Sequence, residues 1–225
     1  MPSYNKHVLF SLIIALPFIQ DVFYLSLVVI GASIIDMDHH VKKNNLILMA
    51  IFGIFLSFIL YIFKLPFIFG ISLISMAIIM GISKHRGFTH SIIGMSILSS
   101  LLAFFVLGLN SLFIILGIEN MVSLIIIPFI LGIIILNKKI VLPFLVIVAI
   151  GILLMHSTII NPYYTFFALF IGGLSHIILD LFTPNGISIL NPLTMKKFYK
   201  SLGIIILILW FIGAVIFNIK VINLF

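Results

Sequence analysis

The chain contains no cysteine and only five acidic residues among its 225 positions. The absence of cysteine excludes disulfide bonds and zinc sites built on thiolate ligands. Charged residues make up 8% of the chain, whereas about a quarter of the residues in a typical soluble domain are charged. This scarcity of charge argues against an ordinary soluble globular protein.

Apolar residues are abundant instead: they make up 64% of the chain, and the mean hydropathy is +1.44. Continuous apolar runs recur along the whole length, as expected of membrane helices, which need about 20 apolar residues to cross a bilayer. We therefore predict an all-α fold, a polytopic transmembrane bundle of about eight or nine apolar segments, some short or re-entrant. Residues 1–225 are expected to form a single membrane-embedded domain whose surroundings are the lipid bilayer.

The apolar segments differ in length and continuity. The first two are short and are separated by Gln20-Asp21, so a re-entrant hairpin is an alternative to two full spans. The sixth contains Glu119-Asn120 and Pro128, which predict a break or kink. With boundaries good to about two to four residues, the segments are 7–19, 22–35, 46–62, 67–83, 90–107, 112–136, 140–155, 163–180 and 201–219.

Three short polar islands interrupt these apolar segments: residues 36–39, 85–90 and 176–180. Even numbers of crossings separate the islands if each segment crosses the membrane, so all three are expected on one face, together with His7. Ionisable residues at a bilayer are costly to keep, and their clustering predicts a functional site. A helix-end hydrogen bond or an anchor loop would explain each island taken alone.

The basic residues indicate which face this is. Ten of the twelve lysines and arginines fall on the island side, and only Lys64 and Lys220 fall on the other. Positively charged residues favour the cytoplasmic side, so we expect the polar site of this multi-pass cell-membrane protein to face the cytoplasm. The formal net charge of +7 is explained by these flanking lysines, and no nucleic-acid partner is expected.

The residue types in the islands are typical metal ligands. His176 and Asp180 are four residues apart near a helix end, so their side chains share one face. His85 and His90 flank a glycine-containing turn in which Thr89 is expected to cap the next helix. Two carboxylates beside a histidine suit a divalent cation. The island ligands that we predict are Asp36, Asp38, His39, His85, His90, His176 and Asp180.

Taken together, these ligands exceed what one zinc ion needs, and we predict a divalent metal, preferably zinc, as two or three ions. Metals so placed can activate water and clamp the oxygens of a phosphoester. Arg86, a fixed cation that can neutralise developing charge on a substrate, and Asp38 are predicted as catalytic residues. The chain has no cysteine nucleophile and no G-x-S-x-G motif.

The island motifs resemble those of the YdjM family of inner-membrane metal-dependent hydrolases. The most specific block is His-Arg-Gly-Phe-Thr-His at 85–90, and the matching pieces also include residues 7–11, 36–39 and 173–186 in family order. The resemblance implies a metal centre, a hydrolase activity and a ligand role for His7 as well as the island residues. It extends more distantly to the zinc phospholipase C and nuclease group. Ile34-Ile35 and His40 depart from the prolines that the family commonly has around the first island.

The leading hypothesis is a metal-dependent hydrolase acting on a phosphoester or lipid-like substrate at the cytoplasmic membrane face, where lysines rim the site. A metal-binding scaffold without catalysis is the second hypothesis, and it requires closed coordination. A cation transporter is the third, and it requires ligands near mid-membrane on a path to both faces. The oligomeric state is left open by the sequence.

Overall fold

The computed structural model describes residues 4–37, 43–83, 87–155 and 159–222. The described residues form nine α-helices and one 3₁₀ turn, and they contain no β-strand longer than a single bridge. The helices are α1 (Tyr4–Ala15), α2 (Val22–Ile34), α3 (Lys43–Ile62), α4 (Ile68–Ile82), α5 (Ile92–Ile115), α6 (Asn120–Ile135), α7 (Lys138–Leu154), α8 (Pro162–Asp180) and α9 (Lys200–Ile222). The predicted all-α bundle is confirmed.

Four of these helices, α3, α5, α8 and α9, are long and apolar enough to cross a membrane by length and composition, among the residues that the structure describes. Helices α5 and α8 bury about half of their apolar windows inside the bundle, whereas α3 and α9 bury only 11% of theirs. Helices α3 and α9 therefore present most of their side chains outward, where lipid can solvate them.

Helix α1 has 12 residues and α2 has 13, which gives each a length of about 20 Å at 1.5 Å per residue. Both are too short to cross a hydrocarbon core of about 30 Å unaided. Asp21 caps α2 by accepting hydrogen bonds from the backbone N–H groups of Phe23 and Tyr24, at 2.8 and 3.3 Å. These lengths agree with the re-entrant alternative for the first two segments.

One predicted boundary is wrong. Helix α5 continues through residues 107–112 to Ile115 and ends at a turn in which Gly117 has a φ of +71°. The break expected at Glu119-Asn120 is thus the start of α6, and Pro128 lies inside that helix. The predicted break at Glu119-Asn120 is therefore a true helix boundary, and the error is the end of the fifth segment, which was placed at residue 107 instead of Ile115.

The centre of the bundle is the contact between α2 and α8, which cross at small residues. A β-carbon at Gly31 of α2 would overlap the carbonyl oxygen of Leu169, and one at Gly172 of α8 would overlap that of Val28. Small residues let helix backbones approach closely where water exclusion gives no driving force. This contact fixes the relative position of the ends of α2 and α8, both of which carry island residues.

We expect Gly172→Ala to destabilise the protein by about 1–3 kcal/mol, because the added methyl group meets backbone atoms that cannot move aside. Gly213→Ala in α9 is the matched control, since a β-carbon there would meet no described atom within 4 Å and alanine favours helix. Thermal unfolding in one detergent, followed by circular dichroism, measures both variants. An unfolding temperature for Gly172→Ala equal to that of the parent would contradict this account of the α2–α8 contact.

Candidate metal centre

Four helices bring five of the predicted ligands to one end of the bundle. His7 lies near the start of α1, Asp36 follows α2, His90 precedes α5, and His176 and Asp180 lie in the last turns of α8. The starts of α1 and α5 therefore meet the ends of α2 and α8. Residues from four separate parts of the chain form one polar cluster in an otherwise apolar interior.

Two carboxylates face two imidazoles at the centre of the cluster. Asp36 Oδ1 lies 3.8 Å from His90 Nε2 and 3.5 Å from His176 Nε2. Asp180 Oδ2 lies 3.6 Å from each of the same two nitrogens. Donor atoms about 2.0–2.1 Å from a tetrahedral cation are about 3.4 Å apart, so this spacing is close to that of ligands sharing one ion.

The second oxygen of Asp180 faces another histidine. Asp180 Oδ1 lies 3.7 Å from His7 Nε2, and the His7 ring stacks on the His176 ring with centroids 3.9 Å apart. Among the described residues, two groups have ligand atoms within 4.8 Å of one another: His7, His176 and Asp180, and Asp36, His90 and His176. Asp180 thus has one carboxylate oxygen for each side of the cluster.

The orientation of His176 is fixed by the backbone of α2. His176 Nδ1 lies 2.7 Å from the carbonyl oxygen of Ala32, and a carbonyl can only accept, so Nδ1 carries the proton. In the neutral ring Nε2 is then the acceptor atom, and it is the one that points at the two carboxylates. Metal-ligating histidines usually have this arrangement, in which a partner for the other nitrogen fixes the tautomer and the ring.

His176 and Asp180 are completely buried. The described residues supply no hydrogen bond to His176 Nε2 or to either carboxylate oxygen of Asp180. A buried carboxylate without such partners is strongly destabilising. The donor atoms and the two carboxylate charges therefore both fit a cation.

Asp36 is the most exposed of the five clustered residues. Its side chain is 17% exposed, whereas those of His7, His90, His176 and Asp180 are at most 3% exposed. Burial raises the pKa of the Asp36 carboxyl, but the neighbouring imidazoles of His90, His176 and His7, which are positive when protonated, outweigh it and hold the pKa below its usual range. Asp36 is therefore a carboxylate at neutral pH.

Tyr4 connects the cluster to the α6–α7 turn, and sequence reasoning missed it. Its hydroxyl donates to Ser33 Oγ at 2.8 Å and accepts from the backbone N–H of Asn137 at 3.3 Å. The turn carries Lys138 and Lys139, which line the same cavity as Asp36. The three-residue spacing from Tyr4 to His7, which puts both on one helix face, was the available signal.

The remaining predicted residues lie outside the described part of the chain: Asp38, His39, His85 and Arg86. The expected capping role of Thr89 is wrong, because Ser91 caps α5 by accepting from the N–H of Gly94 at 3.0 Å. Thr89 Oγ1 instead lies 3.2 Å from His90 Nδ1. Thr89 is therefore a neighbour of a candidate ligand rather than a helix cap.

Fold and composition define a multi-pass, all-helical membrane protein with a buried histidine and carboxylate cluster at one end. The sequence model of the family described as YdjM inner membrane protein matches residues 1–224. The chain therefore belongs to the YdjM inner membrane protein family. No curated protein matches the chain, and no solved structure does.

We expect Tyr4→Phe to cost about 1–2 kcal/mol of stability, because it removes two hydrogen bonds and keeps the apolar ring. Tyr163→Phe is the matched control, since Tyr163 is 84% exposed. Thermal unfolding compares the two variants, and hydrogen exchange of the Asn137 amide should accelerate only in Tyr4→Phe. Equal behaviour of both variants would show that the Tyr4 hydroxyl does not hold the α6–α7 turn.

Proposed function

We propose that this protein is a membrane-embedded metal-dependent hydrolase acting on a phosphoester or lipid-like substrate at the cytoplasmic membrane face. The observation that carries the proposal is the buried cluster itself. Its carboxylate oxygens and imidazole nitrogens converge from four helices, and several of them have no hydrogen bond among the described residues. Burying these groups costs so much free energy that we expect the cluster to bind a cation or to take part in a reaction.

Zinc is the cation that these donors suit best. His90 Nε2, His176 Nε2, Asp36 Oδ1 and Asp180 Oδ2 supply two nitrogens and two oxygens, a set that zinc accepts in four-coordinate sites. The tautomer of His176, set by Ala32, presents a lone pair to this position. The four donors therefore form the first proposed ion site.

A second ion is proposed beside His7. Asp180 Oδ1 points to His7 Nε2 while Asp180 Oδ2 points to the first site, which is the way a bridging carboxylate holds two cations. The predicted ligands Asp38, His39 and His85 are candidates to complete this second site or a third. Their place in the chain, next to Asp36 and His90, supports this assignment.

A divalent cation in this site would supply a Lewis acid and a bound water of lowered pKa. The protein's own contribution is to shield the reacting groups and to leave one approach at Asp36, the ligand that is partly exposed. Lys138 and Lys139 border that approach and would attract an anionic substrate. We assign to Arg86 the neutralisation of charge that develops on the substrate and to Asp38 a catalytic role at the centre.

A metal-binding scaffold remains the second candidate, and the deep burial of four ligands favours it. A scaffold closes the coordination of its metal, whereas a catalytic site keeps one position open. The exposure of Asp36 and the cavity beside it support the catalytic alternative. A transporter is less favoured, because the ligands lie at helix ends on one side rather than along a path to both faces.

Purified protein is expected to contain at least about one equivalent of zinc and to hydrolyse a soluble phosphomonoester. His176→Ala and Asp180→Ala should lower the metal content and the rate at least about tenfold each, since both remove donor atoms from the cluster. Inductively coupled plasma mass spectrometry measures the metal, and phosphate release measures the rate. A chelator should abolish hydrolysis, and added zinc should restore it.

Asp21→Asn is the matched control, because Asp21 caps the start of α2 at the end away from the cluster. It should retain the metal and the rate of the parent. Metal retention without hydrolysis of any phosphoester would favour the scaffold. Purified protein without metal, with His176→Ala and Asp180→Ala indistinguishable from the parent, would refute the metal centre altogether.

The cytoplasmic orientation has its own test, for which the cysteine-free chain is suited. Lys197 follows α8 on the side of the cluster, and Lys64 lies in the turn between α3 and α4 on the other side. An impermeant maleimide is expected to label Lys64→Cys in intact spheroplasts and Lys197→Cys only in inside-out vesicles. The reverse pattern would place the cluster outside.

A further inference from the structure

The partly exposed ligand Asp36 opens onto a polar cavity of about 670 Å³. Tyr4 and Ser33 line it on one side, and Asn137 of the α6–α7 turn lines it on the other together with Lys138 and Lys139 at the start of α7. The hydrogen bonds of the Tyr4 hydroxyl join these two walls. The two lysines place positive charge at the mouth of the approach to the candidate metal centre, so an anionic group is the occupant that the cavity favours.

This polar cavity adjoins an apolar groove of about 570 Å³, formed between α3, α4, α5 and α6. The two share Met37, Asn45 and Ile134 as lining residues, so they lie side by side. Beyond these shared residues the groove is lined by aliphatic and aromatic side chains, among them Leu56 and Leu73. The polar cavity and the groove together make one trough, polar beside Asp36 and apolar along the helices.

A second apolar groove of the bundle lies away from the polar cavity, so the two grooves can be compared. It has a volume of about 410 Å³, lies between α1, α2 and α7, and is lined by residues that include Leu12, Leu25 and Ile147. None of its described lining residues also lines the polar cavity. A lipid chain in that groove would have no charged cavity for its headgroup, so this groove provides an internal comparison.

We propose that the trough binds one anionic phospholipid of the surrounding bilayer, with the phosphate headgroup beside Lys138, Lys139 and Asp36 and an acyl chain in the groove. This inference rests on the proposed function and names its substrate class: a phosphate ester carried on a hydrocarbon chain. Both volumes lie in the range of about 300–1,000 Å³ that small-molecule sites occupy. The apolar part supplies binding that does not depend on the reacting phosphate, and the lysines supply selectivity for charge.

Binding is tested on the full chain in nanodiscs of phosphatidylcholine doped with phosphatidate of the same acyl chains, used as its phosphonate analogue, in which carbon replaces the ester oxygen so that the proposed hydrolase cannot cleave it. Native mass spectrometry then measures which lipid the released protein retains. The parent is expected to retain phosphatidate over phosphatidylcholine by at least about tenfold, because a doubly basic site favours the more anionic headgroup. The double variant Lys138→Gln/Lys139→Gln should lose this preference and keep a bound lipid.

Tryptophan variants test the groove. Leu73→Trp fills it from α4, and Leu56→Trp fills it from α3, so a folding defect in one variant leaves the other as the test. Each should lower phosphatidate retention at least about tenfold, because the chain loses the volume that it occupies. Ile147→Trp, in the second groove, is the matched control and should retain phosphatidate like the parent.

Equal retention of phosphatidate and phosphatidylcholine by the parent would overturn the proposal, as would unchanged retention in both groove variants. Retention does not require turnover, so it is separable from the proposed function. If metal content and hydrolysis of a soluble phosphomonoester persist while selective retention fails, only the lipid trough is wrong. If phosphatidate is selectively retained and no phosphoester is hydrolysed, the trough stands and the hydrolase function is wrong.

Discussion

The close contact between α2 and α8 is the constraint on which the rest of the structure depends. Gly31 and Gly172 have no side chain, so the two backbones approach closely. A β-carbon at either residue would overlap a backbone carbonyl oxygen of the other helix. The same approach brings the carbonyl of Ala32 to the ring of His176. A packing contact between two helices therefore also sets the tautomer of a candidate ligand. A wider separation of the helices would lose the packing contact and the hydrogen bond to His176 together.

The cost of burying charge explains why the cluster lies where it does. In a bilayer every polar group needs a partner within the protein, and the ends of helices already leave carbonyl groups without one. Asp36 and Asp180 stand at the ends of α2 and α8. Two carboxylates are thus concentrated beside three histidines, which is an arrangement that a cation stabilises.

The surroundings of the cluster divide it into a sealed side and an open side. His7 and Asp180 face each other in the interior, whereas Asp36 borders the polar cavity with Lys138 and Lys139. Tyr4 joins these sides, because it lies on the same helix as His7 and holds the turn that carries the lysines. The same few contacts thus connect the candidate centre to the cavity beside Asp36.

The sequence by itself determined the helical membrane class, most segment limits and the islands from which the ligands come. Hydropathy is a local property of the sequence. The thickness of the bilayer sets the length of the apolar run that forms a membrane helix. The count of crossings also put His7, His90 and Asp180 on one side before any distance was known. At one place this reasoning was only partly right: Glu119-Asn120 marked the start of α6, but the end of α5 was placed at residue 107 instead of Ile115, because hydropathy does not vary within one long apolar helix.

Only the tertiary structure decided how the ligands face one another. Nothing in the sequence distinguishes the two oxygens of Asp180, yet one faces His7 and the other faces His90 and His176. The link from Tyr4 to Asn137 spans 133 residues of chain, and the trough lies between four helices. Such features depend on how distant helices pack, which is set by the shapes of all the side chains between them rather than by any local pattern.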